Sequence, residues 1–200
     1  MQTLRLRGLR RLGLKGIDAT LEAGQLACLK GRSGSGKTLL LRAIADLDPI
    51  EGTVHLDGQD SSSMPPTEWR RRVAYVPAEP GWWAERVKDH FASDPSDWLS
   101  PLNLDPDLLR SNVDELSSGE RQRLALVRAL VQHPDILLLD EPTANLDNDN
   151  TAAVESVVQG RFLTAPGRAV VWVSHDDNQV QRIATRVWVL AGGQLEDRTP

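Results

Sequence analysis

Cysteine is almost missing from this sequence. Cys28 stands alone, which excludes an internal disulfide framework and suits a reducing compartment. Long hydrophobic runs are missing too. The longest candidates, Ile136–Leu139 and Ala169–Val173, are of strand length, far short of the ~20 apolar residues that span a bilayer. The first residues lack the apolar stretch of a secretory signal peptide. Positive charge is not in excess: 23 Lys and Arg stand against 28 Asp and Glu, a formal net charge of −5. That balance argues against binding nucleic acid by bulk charge, and no nucleic-acid partner is expected. Neither an internal repeat nor a low-complexity tract is present. Aromatics are scarce, with two Phe, six Trp and one Tyr. Most of them (Trp69, Tyr75, Trp82, Trp83, Phe91 and Trp98) crowd into one stretch.

What is there fits a single domain over residues 1–200, long enough to bury a sizeable core. Hydrophobic residues make up 40% and charged residues 26%, close to the globular average. Short apolar runs alternate with helical patterns, which predicts an α/β fold with a parallel sheet and crossover helices. Leu26–Lys30, Val73–Val76, Ile136–Leu139, Ala169–Val173 and Val187–Leu190 read as strands. Leu4 and Leu6 alternate with Arg5 and Arg7, as in a half-exposed first strand. Lys37–Leu47 reads as a helix. So does Gly119–Gln132, with Leu124, Val127, Leu130 and Val131 on one stripe and Arg121, Gln122 and Arg128 off it. Ser117 or Ser118 is placed to cap that helix, near Glu120 in its first turn. Between Pro77 and Leu116 the composition shifts: Pro80, Pro95, Pro101, Pro106 and Gly81 suggest a small helical insertion, with Ser93–Asn103 irregular.

Two features carry chemistry. Gly31-Arg32-Ser33-Gly34-Ser35-Gly36-Lys37-Thr38 matches G-x-x-x-x-G-K-[ST] between a predicted strand and a predicted helix, the context such a phosphate loop requires. Glycines let the backbone wrap a phosphate, and successive N–H groups with the helix N-terminus aim positive dipole at it. Lys37 adds a point charge, and the Thr38 hydroxyl suits magnesium. The bland alternative is a Gly/Ser turn capping a helix. The second feature is Asp140-Glu141 at the carboxyl end of an aliphatic strand, where ligands gather in open α/β sheets. Asp140 suits a metal held through water, and Glu141 suits a base for an attacking water.

A third segment points to a family. Leu116-Ser117-Ser118-Gly119-Glu120-Arg121-Gln122-Arg123 resembles the signature motif of ATP-binding-cassette (ABC) ATPases, LSGGQxxR. Ser118 replaces its first glycine and Glu120 its glutamine. Pro142-Thr143-Ala144-Asn145-Leu146-Asp147 looks like the D-loop behind the Walker B acids. Val173-Ser174-His175-Asp176 looks like the switch-histidine segment. The resemblance runs over roughly residues 4 to 195.

This resemblance implies a P-loop NTPase fold with an ABC ATPase core: a parallel sheet flanked by helices, an N-terminal antiparallel β part, and a shortened helical subdomain carrying the signature at about residues 78–130. It implies ATP and magnesium, with Gly31, Arg32, Ser33, Gly34, Ser35, Gly36, Lys37, Thr38 and Leu39 binding the nucleotide. Thr38 and Asp140 are the implied metal residues. Glu141 and His175 are the implied catalytic pair, and Asp147 is the D-loop acid. ABC ATPase domains pair head to tail over two ATPs. Ser117, Ser118, Gly119 and Glu120 are therefore expected to meet the nucleotide of a second copy, and Ser117 can be an N-cap at the same time. The expected role is the ATP-hydrolysing subunit of a transporter, peripheral on the cytoplasmic face of the plasma membrane and partnered by a separate permease. The compact core is similar to small ATPases of bacterial export systems, including metal efflux, so export is expected over import.

Some residues depart from the family pattern. Ala78 stands where a glutamine usually follows the strand, and Glu79 beside it could reach the metal only if the loop shifted by one residue; otherwise it is a solvated acid. Residues 5–17 hold no aromatic to stack on adenine; Arg10 or Arg11 could substitute or be surface charges. Arg70-Arg71-Arg72 reads as a solvated face, or as contact with a partner loop or phospholipid headgroup. Trp82, Trp83 and Phe91 read either as anchors for the membrane partner or as filling of the reduced subdomain. A soluble ABC protein acting on ribosomes or DNA fits less well: only 78 residues separate Thr38 from Ser117, without heptads, and there is one cassette. A non-hydrolysing nucleotide sensor is opposed by the intact Lys37, Asp140, Glu141 and His175, and is kept open by Ala78.

Overall fold

The computed structural model describes residues 3–199. The chain opens with a hairpin of β1 (Thr3–Arg11) and β2 (Leu14–Glu22). Leu4, Leu6 and Leu9 are buried while Arg5, Arg7 and Arg10 are exposed, the period-two pattern of a sheet solvated on one face. Then come β3 (Leu26–Lys30), α1 (Lys37–Ile44), β4 (Glu51–Leu56) and β5 (Gln59–Asp60). Strands β2, β1, β4 and β5 lie in that order as an antiparallel sheet.

The rest alternates: α2 (Pro66–Arg72), β6 (Val73–Val76), α3 (Ser96–Leu99), α4 (Ser118–Leu130), β7 (Ile136–Asp140), α5 (Asn148–Val157), β8 (Ala169–Val173), α6 (Asp177–Ile183), β9 (Arg186–Ala191) and β10 (Gln194–Asp197). The central sheet runs β10-β9-β3-β8-β7-β6, parallel except for the β9–β10 hairpin. Both its faces are covered, so β3, β7 and β8 are apolar on both sides of their pleat, up to Lys30 and Asp140 at the carboxyl ends of β3 and β7. Cys28, Leu137, Leu139 and Trp172 enter one core, with α4 and α5; Ala27, Leu29, Leu138 and Val171 enter the other, with α1 and the antiparallel sheet. The two sheets meet where Lys15 N–H donates to Gly193 O at 2.7 Å.

Three sequence expectations change. The first helix stops at Ile44, not Leu47. Asp46 takes a left-handed φ of 54° and Leu47 N–H turns back to Arg42 O at 2.9 Å, a C-terminal capping turn. The indole of the fully buried Trp69 then donates to Ile44 O at 2.9 Å. Ser93–Asn103 is not irregular: Pro95 starts α3, and a 3-10 turn over Ser100–Leu102 follows. Helix α4 has no open polar face at Gln122. Both Gln122 and Arg123 are buried, because the helix is wrapped by the sheet on one side and by the turns of residues 87–115 on the other. Their polar groups are spent on carbonyls, Gln122 on Pro77 O and Arg123 on Leu102 O.

The aromatic stretch divides. Trp69 and Trp98 are core, while Trp82 and Phe91 are half-buried against it. Trp83 is 71% exposed. The run Arg70–Arg72 also divides: Arg70 donates to Asp46 O, Arg72 pairs with Asp135 at 2.6 Å, and Arg71 is exposed.

Candidate functional site

The phosphate loop leaves β3 and enters α1 with its backbone wound for it. Gly34 and Gly36 have φ of 73° and 100°, a region L side chains rarely adopt. A Cβ at Gly31 would fall 2.6 Å from both Leu190 O and Ser35 Oγ. Lys37 is only 7% exposed. Its Nζ donates to the carbonyls of Gly31 and Arg32 at 3.0 and 3.2 Å, so a buried ammonium sits inside the loop. The N–H groups at the start of α1 have no side-chain cap. Ser35 Oγ is buried with no hydrogen-bond partner among the described residues. A cradle of free donors around a cation fits a polyphosphate.

The acids arrive from β7. Thr38 Oγ1 donates to Asp140 Oδ2 at 2.7 Å. No cluster of three or more acidic, His or Cys groups able to hold a metal exists among the described residues. A magnesium ion there would rest on Thr38 and on phosphate oxygens, with Asp140 behind, which suits an ion that keeps waters and substrate phosphates as ligands. Tyr75 Oη donates to the same Asp140 oxygen at 3.2 Å. Burial, then the Asp140 carboxylate, raise the Tyr75 phenol well above its ordinary value, so it stays a donor. Glu141 has a left-handed φ of 51°, a conformation that costs of order 1 kcal/mol or more for a non-glycine residue. It turns the carboxylate to His175, whose Nε2 lies 2.8 Å from Oε1. Ser33, Gly34, Gly36, Lys37, Thr38, Leu39, Glu141 and His175 line one cleft.

The signature residues lie elsewhere. Ser117 and Ser118 are exposed, and neither they nor Gly119, Glu120 and Asp147 line the clefts around the phosphate loop. Of the two candidates for the cap, Ser117 takes the position. Ser117 Oγ accepts from Glu120 N–H at 3.2 Å, and Glu120 Oε2 accepts from Ser117 N–H at 2.8 Å and from its hydroxyl at 2.6 Å, a capping box. Asp147 caps α5 through Asn150 N–H at 2.8 Å. Arg123 joins the two segments, which sequence reasoning had not assigned: its Nη1 donates to Asn150 Oδ1 at 2.7 Å and its Nε to Gly119 O at 3.2 Å. A Cβ on Gly119 would meet Leu146 at 3.1 Å.

The departures from the pattern resolve differently. Neither Ala78 nor Glu79 lines the phosphate clefts, and Gln122 holds the loop at Pro77 O. Arg11 is committed to Pro49 O and lies by Asp48. Leu12 and Lys15, not Arg10 or Arg11, line the cleft of about 970 Å³ above Gly31–Gly36. Leu12 is 85% exposed in the β1–β2 turn; the signal available in the sequence was a leucine beside a Gly turn, too common to single out.

A family profile described as ABC transporter matches residues 14–144. Protein STAR1 of Oryza sativa subsp. japonica is 36% identical over 98% of the chain, which spans 62% of that protein. The probable iron export ATP-binding protein FetA of Escherichia coli (strain K12) is 34% identical over 84% of the chain and 80% of its own length. The phosphate import ATP-binding protein PstB 2 of Natronomonas pharaonis is 33% identical over 94% of the chain and 74% of its own length. With half the chain or more matched by the profile, and relatives of this identity along most of its length, the chain belongs to the ABC transporter ATPase family, in the class of its ATP-binding subunits.

Proposed function

We propose that the chain binds and hydrolyses ATP with magnesium and drives a separate membrane permease, as one half of a head-to-tail dimer at the cytoplasmic face of the membrane. The observation that carries this is the convergence of Lys37, Thr38 and Asp140 with the Glu141–His175 pair at the carboxyl end of the parallel sheet. In this reading the loop N–H groups and Lys37 bind the β- and γ-phosphates and hold the chain of the triphosphate in line. Magnesium, held by Thr38 with Asp140 behind it, supplies charge neutralisation of the phosphates when bound. Glu141 and His175 now satisfy each other. With the nucleotide present, Glu141 accepts the proton of the attacking water and His175 turns to the γ-phosphate. Leu12, at the cleft mouth, gives the base an aliphatic surface where no aromatic is available. Export is the proposed direction, following the name of the Escherichia coli relative, although other relatives carry import in theirs.

Glu141→Gln should lower ATP turnover at least ~100-fold, the usual scale for losing a general base, and leave ATP binding intact. Lys37→Ala should lose the binding. A wild-type chain inactive even with its permease, or Glu141→Gln at the wild-type rate, would overturn the reading. Inverted vesicles carrying the permease test direction, since an exporter accumulates substrate in them on ATP addition.

A further inference from the structure

Tyr75 belongs to two places at once. It lies on β6, opposite Leu138 of β7, half-buried against the core on the α1 side. Its hydroxyl reaches Asp140 Oδ2 at 3.2 Å, the same oxygen that accepts from Thr38 at 2.7 Å. The edge strand that carries it also borders a groove of about 450 Å³, with Leu47, Arg70, Pro77, Trp83 and Arg128. That groove has a stiff rim. The Arg128 guanidinium lies 4.9 Å from the Trp82 ring and 4.8 Å from the Trp83 ring, and it donates to Gly81 O at 3.1 Å. His90, buried, takes the N–H groups of Trp83 and Ala84 on Nε2, both at 3.0 Å. A residue at Ala78 has no polar atom to offer the nucleotide site, and Glu79 is exposed away from it. Tyr75 thus links the edge strand that borders the groove to the Walker B acid.

We propose that Tyr75 is a positioning residue that fixes the Asp140 carboxylate behind Thr38 and ties its orientation to the groove beside Trp83. The physical argument is geometric. Asp140 Oδ2 is held from two sides. When the Thr38 hydroxyl turns to a magnesium ion, the phenol keeps the carboxylate in its rotamer. Conversely, a shift of Asp140 toward the ion pulls on a ring borne by the strand that forms the groove wall. This inference rests on the reading of Thr38 and Asp140 as the metal residues of an ATP site.

Tyr75→Phe tests it, since the ring and its packing stay and only the hydroxyl leaves. The affinity for a non-hydrolysable ATP analogue with Mg²⁺ should fall about fivefold, the size of one net hydrogen bond. The affinity for the same analogue without Mg²⁺ should not change, and kcat at saturation should stay within about twofold. Protein labelled with 5-fluorotryptophan supplies the second reading, with the Trp83 resonance assigned from Trp83→Phe. Adding Mg²⁺ to the analogue complex should shift that resonance in the wild type and leave it in place in Tyr75→Phe. Equal Mg²⁺-dependent affinity in both proteins overturns the positioning role. A Trp83 resonance that never responds in the wild type, or responds equally in Tyr75→Phe, overturns the tie to the groove. Failure of the underlying reading looks different: the wild type itself would show no Mg²⁺-dependent gain in affinity.

Discussion

A buried thiol and a strained acid show how much a single position can be asked to do. Cys28 sits at full burial on β3, in register with Trp172 of β8. Burial first, then the charge of Glu155, push its pKa up to about 12. The thiolate is the reactive form, so Cys28 should be inert at pH 8 toward an aromatic disulfide reagent in the native protein and should titrate as one thiol in guanidinium. Rapid native labelling would show that β3 opens far more readily than its packing allows. Glu141 is the opposite case, exposed enough to react and held in a left-handed turn. Its place beside the phosphate loop was legible because an aliphatic run delivers the two acids at the carboxyl end of a strand. Its φ was not, since backbone strain is imposed by the turn between β7 and Pro142 and leaves no compositional mark. Tyr75 was missed for a related reason: a tyrosine in an otherwise apolar strand reads as packing, and only the fold brings its hydroxyl to Asp140.

At the scale of elements, α4 is the most instructive. Its N-terminus was legible from Ser117 or Ser118 near Glu120; the structure selects Ser117, three residues before Glu120, the spacing that lets each side chain serve the other's N–H. Its burial was not, because Gln122 and Arg123 look solvent-facing until the turns of residues 87–115 close over them. Arg123 is held between Leu102 O, Asn103 O and Asn150 Oδ1, which joins the start of α4 to the cap of α5. Ser117→Ala should cost about 1 kcal/mol of stability, the usual worth of such a cap, read by urea denaturation at pH 7. The pH dependence has a definite sign. Hydrogen bonds from the Ser117 hydroxyl, then its N–H, lower the Glu120 pKa. A carboxylate lowered in the folded state stabilises above its unfolded value and loses that contribution as pH falls through the folded one. The gap between wild type and Glu120→Ala should therefore be full at pH 7 and shrink on acidification below the ordinary glutamate range. A gap that grows in acid would contradict the capping geometry.

The whole molecule presents a phosphate cleft open on one side and a capped helix end exposed on another. Ser117 and Ser118 are exposed and do not line the chain's own phosphate clefts, yet the packing of Leu146 against Gly119 and the Arg123–Asn150 bond make the signature and the D-loop one body. Such a body has a helix N-terminus suited to an anion and lies off the clefts around the phosphate loop. A second copy turned head to tail would bring one. The architecture around this junction was readable as strand, loop and helix in order; the distance of the signature from the phosphate cleft was expected only through the family resemblance, since spacing along a chain says nothing about which surface each motif ends on. The proposed dimer has a sharp signature. With ATP and Mg²⁺, Glu141→Gln should elute at twice the monomer mass on gel filtration, because binding persists while turnover does not. The double variant with Lys37→Ala should remain monomeric at the same nucleotide concentration, and the wild type should return to monomer as ATP is consumed. A Glu141→Gln chain that stays monomeric at millimolar ATP, or pairs equally well without nucleotide, would leave the exposed end of α4 as a cap and nothing more.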